Sequence, residues 1–282
     1  MIKTIKITER EPQITVATGV AFTQVDYWYG HTRKDLKMDI IYHEDSSKKY
    51  PCLVWICGGA WLTMDRSAHL AYLSSLAKKG YTVASVEYRT SNEAKFPEAL
   101  TDVKAAIRYL RANAQRYNID PDRFATSGES AGGNLALMAA FADDKAYDVG
   151  TNLEFSSAVQ ASVPWYPVAD VAKFEYPDEK MAAASYESAY VGVNVYDNPD
   201  KAKEASPVGH VKASNPPVLI LHGDNDHTVP IEQSRKLVKM LEEAGCDATL
   251  LEIEGADHAD IPFFQEEVWD IMLEFLNRTI GK

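Results

Sequence analysis

The chain's first arrangement able to do covalent chemistry is a serine between glycines, Gly128-Glu129-Ser130-Ala131-Gly132. Small residues on both sides permit a sharp strand-to-helix turn that lifts the Ser130 hydroxyl clear of the backbone. The helix that follows turns its unpaired amides toward the same space. The pattern also arises by chance, and Ser130 would then merely cap a helix. A serine hydroxyl is a weak nucleophile, so the test is whether the chain also supplies a base, an acid and donors for a developing oxyanion.

It does, in the order serine, acid, histidine that this kind of turn uses. His258, in Gly255-Ala256-Asp257-His258, follows an apolar strand and is the base candidate. The acid candidates, Asp224 and Asp226, lie in the loop His222-Gly223-Asp224-Asn225-Asp226-His227-Thr228-Val229-Pro230. Either could orient the His258 ring and stabilise its charged form, and either could cap the helix that starts near Pro230. Oxyanion donors are expected from the amide of Ala131 and from Gly58 and Gly59, where glycine lets the backbone approach a substrate closely. His222 ends a strand and is expected to be a hydrogen-bonded structural residue. His227 is expected to face solvent. His31, His43, His69 and His210 have no evident chemical context.

These residues need elements to hold them. Val20, Phe22 and Val25, and then Leu36, Met38 and Ile40, alternate as hairpin strands at a sheet edge. Cys52–Cys57 is continuously apolar, as a strand buried on both faces should be. A helix is expected over Ser67–Lys79, a strand over Tyr81–Val86, and a long helix over Pro97–Tyr117, where Leu100, Val103, Ile107 and Leu110 recur at helical spacing. Asn118–Arg123 has the composition of a turn. Strand Phe124–Ser127, helix Ala131–Phe141 and strand Ala158–Val163 follow. Residues 164–210 lose regular periodicity and carry Pro164, Pro167, Pro177 and Pro199. A loop that long holds short elements of its own, so the expectation is a small cap insertion. Strand Val218–His222, helix Pro230–Ala244, strand Thr249–Ile253 and helix Pro262–Asn277 complete the alternation. The class is α/β, with a mostly parallel central sheet and helices on both faces, in one domain over residues 1–282. Reactive groups on such a sheet gather beyond the carboxyl ends of its strands, and each candidate above follows one.

Composition narrows the partners. The chain has 282 residues, 46% hydrophobic and 25% charged, with a net charge of −12. That charge argues against nucleic acid, whose binding relies on Lys and Arg neutralising phosphates. Three cysteines, Cys52, Cys57 and Cys246, lack the spacing of a disulfide framework or a zinc site, so no metal is expected. The stretch Met1–Arg10 has no apolar core of signal-peptide length, and no apolar run approaches the ~20 residues of a membrane span. The expected location is the cytoplasm, without membrane contact. Oligomeric state is left open, a homodimer among the options.

Four motifs together resemble the α/β-hydrolase superfamily: Cys57-Gly58-Gly59-Ala60-Trp61, Gly128-Glu129-Ser130-Ala131-Gly132-Gly133, His222–Pro230 and Gly255–His258. The resemblance runs from about residue 36 to the C-terminus. It includes Asp120-Pro121-Asp122-Arg123 and Ala205-Ser206-Pro207-Val208. It is greatest to the hormone-sensitive-lipase-like branch and, near it, the bacterial feruloyl and acetylxylan esterases. The resemblance implies the α/β-hydrolase fold. It also implies an acid three positions beyond the His-Gly pair, which selects Asp226 over Asp224. The implied chemistry is cofactor-free acyl transfer to water through Ser130, Asp226 and His258. The implied substrate is a short acyl or hydroxycinnamoyl ester of a carbohydrate, such as an acylated oligosaccharide. Trp61, Trp165 and Tyr166 are candidate pocket walls, although ordinary core packing would also account for them. One departure stands out, since Cys57 occupies a place that is usually histidine and would narrow or dry the site. Serine at the elbow argues against the cysteine chemistry of dienelactone hydrolases and the aspartate chemistry of dehalogenases. The competing readings are an arylformamidase or peptidase-like amidase, and a noncatalytic binding protein on the same fold.

Overall fold

The structure, a computed structural model, describes residues 1–8, 13–142 and 145–281; Glu9 and Arg10 of the N-terminal stretch lie outside them. Strands β1 (Ile14–Tyr27) and β2 (Thr32–His43) form a long antiparallel hairpin. Then come β3 (Tyr50–Ile56), α1 (Leu70–Lys78), β4 (Thr82–Val86), α2 (Glu98–Ala112), β5 (Ile119–Glu129), α3 (Ala131–Phe141) and β6 (Ala161–Trp165). Three short helices, α4 (Glu179–Ala183), α5 (Tyr186–Val191) and α6 (Pro199–Glu204), separate β6 from β7 (Val218–Gly223). Helix α7 (Glu232–Glu243), β8 (Ala248–Ile253) and α8 (Glu266–Thr279) complete the chain. The eight strands lie in one sheet in the order β1-β2-β4-β3-β5-β6-β7-β8. The hairpin and the β2–β4 pairing are antiparallel, and every other pairing is parallel.

The parallel strands are apolar throughout because both faces are covered. In β3, Cys52, Val54 and Ile56 enter the core shared with Leu100, Val103 and Ile107 of α2. Leu53 and Trp55 point the other way, toward Leu73 and Leu76 of α1 and Met272 and Leu276 of α8. Cys57, two residues beyond Trp55, keeps that parity and packs in the second core.

Most element ends shift by a few residues from the sequence expectations, and three differences have a clear cause. Helix α2 ends at Ala112, five residues before Tyr117. The apolar spacing continues through Ala114 and Tyr117, which are buried, but Asn118 takes a left-handed φ of 53° that turns the chain back into β5. The expected turn at 118–123 is instead the start of β5, where Ile119 pairs with Tyr50 across a register irregularity. Its turn chemistry survives locally, since Asp120 accepts from the Asp122 amide at 3.0 Å and from Arg123 at 2.7 Å. Strand β6 runs to Trp165, so the irregular segment begins after it and not at Pro164. Among the described residues, no helix is long and apolar enough to cross a membrane.

Candidate active site

Ser130 sits between β5 and α3 with φ 53° and ψ −120°, a backbone conformation costly for a residue with a side chain. Its surroundings hold it there. The Ser130 amide donates to the Trp165 carbonyl at 2.9 Å, and the Asn134 amide returns to the Ser130 carbonyl at 3.0 Å. The flanking glycines are needed for close approach: a Cβ on Gly128 or Gly132 would overlap the carbonyl oxygen of Ile56.

The structure brings Ser130, His258 and Asp226 together from three loops. His258 Nε2 lies 3.0 Å from Ser130 Oγ, and its Nδ1 lies 2.7 Å from Asp226 Oδ2. A carboxylate only accepts, so Nδ1 carries the proton and Nε2 is free to take one from Ser130. Asp226 is buried. Its Oδ1 accepts the Thr228 and Val229 amides, each at 2.8 Å, and Oδ2 also faces His222 Nε2 at 3.2 Å. Burial alone would raise this carboxyl, but the hydrogen bonds from His222 and His258 and the charge of His258 outweigh it. They hold Asp226 well below the usual carboxylate range.

His222 is wholly buried and structural, as its place at a strand end suggests. Its Nε2 faces two acceptors, Asp226 and the Val229 carbonyl at 2.9 Å, so that nitrogen is the donor, and Ser234 occupies Nδ1 at 2.7 Å. Asp224 lies elsewhere: it accepts the Gly255 amide at 2.6 Å and latches the acid loop to the histidine loop. His227 is 71% exposed and reaches Asp257 at 3.3 Å.

The oxyanion loop departs from expectation at one amide. Gly58 N–H points at Glu129 Oε1, 3.4 Å away, and is drawn off the site. Among the described residues, the amides of Gly59 and Ala60 have no protein acceptor. Gly59 has φ 119°, and a Cβ there would overlap the Thr63 carbonyl. With the amide of Ala131 at the first turn of α3, the available donors are Gly59, Ala60 and Ala131.

Glu129 is the site residue that sequence reasoning missed. Its Oε1 also meets His69 Nε2 at 2.7 Å, and its Oε2 accepts from Tyr166 Oη at 2.7 Å. Burial works to raise its pKa, but the bond and charge of His69, then Tyr166 and the Gly58 amide, hold it below its ordinary value. Its place in the elbow was legible; its partner His69, sixty residues away on another element, left no trace in the spacing. Glu129 thereby ties the loop of Gly58 and Gly59 to the nucleophile turn. The Glu129→Gln variant is expected to lose about 10- to 100-fold in kcat on a small ester with KM little changed, as misplaced donors would cause. A rise in KM alone would refute that coupling. Since the folded pKa is depressed, the stabilisation by ionised Glu129 is full above its unfolded value near ~4.3 and fades as pH falls. The difference in Tm between wild type and Glu129→Gln should therefore narrow below about pH 4.

Two pocket expectations need correction. The Trp165 side chain is wholly buried beneath the site, packed edge-on against Trp55 and Trp269 with ring centroids 5.2 and 5.3 Å away, and borders neither site cavity. Strand parity turns its ring into the core, and only its carbonyl serves Ser130. Cys57 does not narrow the site either. Its Sγ lies 3.0 Å from the Asp65 carbonyl on the core side, and burial pushes the thiol up to about 12. Tyr166 does border the site, with its ring 4.6 Å from that of His258. Trp61 is almost fully buried, stacked on Tyr190 at 4.4 Å, and still presents an edge to a cavity.

Two cavities meet at Ser130. The larger, about 430 Å³, is bordered by Gly59, Leu62, Glu129, Tyr166 and His258. The smaller, about 150 Å³, lies between Trp61, Ala131 and the segment after β6, which contributes Phe174, Tyr176 and Tyr186.

The BD-FAE family model matches residues 38–241. The chain belongs to the BD-FAE family. It is thus an α/β-hydrolase, and the proteins it resembles include esterases. It is 34% identical over 240 residues to Esterase LipQ of Mycobacterium tuberculosis (strain ATCC 25618 / H37Rv), covering 83% of this chain and 56% of that protein. The chain spans about half the length of the curated relatives it matches first. A structure described as a truncated form of a carbohydrate esterase from gut microbiota superposes with a TM-score of 0.85 at 30% identity, covering 98% of this chain and 99% of the other. A thermophilic esterase of Thermogutta terrifontis shares the fold, with a TM-score of 0.77 at 24% identity over 95% of this chain and 92% of its own. The BD-FAE match covers both the nucleophile turn and the acid loop and ends before His258.

Proposed function

We propose that this BD-FAE protein is a serine carboxylesterase that cleaves short acyl esters, of carbohydrates above all, through an acyl-enzyme on Ser130. The observation that carries the reading is the continuous hydrogen-bonded line Asp226–His258–Ser130 at 2.7 and 3.0 Å, opening on two cavities. Ser130 Oγ attacks the ester carbonyl while His258 Nε2 takes its proton, and the amides of Gly59, Ala60 and Ala131 receive the developing oxyanion. His258 then protonates the leaving alcohol. Water repeats the cycle on the acyl-enzyme, releasing the acid and restoring Ser130.

The cavities support one placement of the two halves of the substrate. The leaving oxygen must come within reach of His258 Nε2, so the larger and more open cavity beside His258 takes the alcohol. The smaller one lacks His258 and takes the acyl group. Its volume, about 150 Å³, is about a third of the larger cavity's, and Trp61, Phe174 and Tyr176 wall it with bulky rings, which favours a short acyl chain. The 30% likeness to a carbohydrate esterase supports a sugar as the alcohol.

On 4-nitrophenyl esters of rising chain length, kcat/KM should peak at two to four carbons and fall at least about tenfold by eight, since each forced methylene is worth roughly 1–3 kcal/mol. Phe174→Ala should shift the optimum to longer chains. Rapid turnover of formylkynurenine with negligible ester turnover would replace the esterase reading with an amidase one.

A further inference from the structure

The turn of the β1–β2 hairpin carries Tyr27, Trp28 and Tyr29, whose residues are 50%, 65% and 95% exposed. Trp28 and Tyr29 both have left-handed backbones, φ 48° and 55°, which bulky residues rarely adopt. The His31 amide closes the turn on the Trp28 carbonyl at 3.0 Å, and the His31 ring lies 5.3 Å from the Trp28 ring. Three large rings thus stand in water on a strained turn, where they contribute little to the core. Such strain, held by its surroundings, is a mark of a working surface.

Beneath the turn is a cavity of about 640 Å³ bordered by Asp26, Trp28, Tyr29, Arg89, Asn92 and Glu93. Its floor is fixed. Arg89 is paired with Asp102 at 2.8 Å, and the Thr90 amide donates to Glu93 at 3.1 Å. Asn92 Nδ2 donates to the Leu62 carbonyl at 3.0 Å, and Leu62 borders the cavity assigned to the leaving alcohol. One hydrogen bond thus joins the wall of the cavity under the aromatic turn to the wall of the alcohol cavity.

We propose that this hairpin is an aromatic platform that binds a neutral glycan chain leading away from the ester cleaved at Ser130. The proposal rests on the esterase reading and specifies its alcohol as part of an oligo- or polysaccharide. A pyranose ring has an apolar C–H face and a rim of hydroxyls. Trp28 and Tyr29 offer stacking faces, while Asp26, Arg33, Asn92 and Glu93 offer donors and acceptors around them. The Arg33–Asp26 pair, 3.4 Å apart, is 62% and 76% exposed, so its polar atoms remain open to hydroxyls. Interface centres between proteins are depleted in such charges. Arg33 neutralises Asp26 and Lys34 neutralises Glu93, so the surface around the rings has no excess charge to select an ionic ligand.

The double variant Trp28→Ala/Tyr29→Ala removes exposed side chains only, so its Tm should stay near that of wild type. Two measurements test the platform. The first is native affinity electrophoresis in gels containing acetylated xylan or acetylated glucomannan. The second is deacetylation of acetylated xylo-oligosaccharides of rising length beside 4-nitrophenyl acetate. Wild type should be retarded in at least one glycan gel and the variant should not. The variant should show KM raised about tenfold on the longer oligosaccharides, with 4-nitrophenyl acetate turnover unchanged. Absence of retardation in wild type, or equal retardation of both proteins, would overturn the platform whatever the esterase activity. Retardation without turnover of any ester would instead count against the esterase reading alone. If wild type proved dimeric by size exclusion and the variant monomeric, the rings would belong to a contact between copies and the proposal would fall.

Discussion

Replacing Ser130 with alanine is expected to lower kcat/KM for 4-nitrophenyl acetate by about 10⁵–10⁶-fold, roughly 7–8 kcal/mol of transition-state stabilisation. The fold should survive. Ser130 contributes a hydroxyl at the site, whereas the elbow is held by the Trp165 carbonyl, the Asn134 amide and the close packing of Gly128 and Gly132 against Ile56. Alanine in place of Ser130 keeps all of these. Tm by calorimetry should therefore change by no more than a few degrees. An organophosphonate should label wild type once per chain and leave the variant unlabelled. Residual hydrolysis above about 1% of wild type in a well-folded variant would place the nucleophile elsewhere.

Asp226→Asn should cost about 10⁴-fold in kcat, because an amide in that place can present N–H to His258 and select the wrong tautomer. Asp224→Asn should stay within a few-fold, since the Asp224 carboxylate accepts the Gly255 amide and makes no hydrogen bond to the His258 ring. The contrast is the informative quantity. Both residues follow the same strand, both are aspartates, and they are two positions apart. If Asp224→Asn were the more damaging, the assignment of the acid would be wrong. If both were mild, His258 would be oriented mainly by the hydrogen bond its backbone amide donates to Asp257 Oδ1, at 2.7 Å, and by the ring of Tyr166.

Neither result depends on the residues that were hardest to foresee. Glu129 and His69 meet beside the loop of Gly58 and Gly59, and the Ala60 amide next to those glycines has no protein acceptor among the described residues. Cys57 drew attention as a departure from the family motif, and it turned out to face the core. Alternation along β3 places it with Leu53 and Trp55, on the α1 and α8 side of the sheet. Trp165 is governed by the same rule in β6, which puts its ring into the core and leaves its carbonyl to hold Ser130.

By itself the sequence determined the class of fold, the order of its strands and helices, and the nucleophile turn. Those features are local. Continuous apolar runs mark doubly covered strands, helical spacing marks the helices, and Gly128-Glu129-Ser130-Ala131-Gly132 marks a turn that few other residues allow. It also reduced the acid to two aspartates in one loop and the base to one histidine, because each must follow a strand of the same sheet. The family resemblance selected Asp226 of the two, and only the tertiary structure decided which amides remain free for an oxyanion and which aromatic rings border a cavity. Those outcomes depend on distances between elements far apart in the chain, and on which face of a strand a side chain takes once register and strand ends are set. The Ser130–His258 contact spans 128 positions, and no local pattern encodes 3.0 Å across that separation.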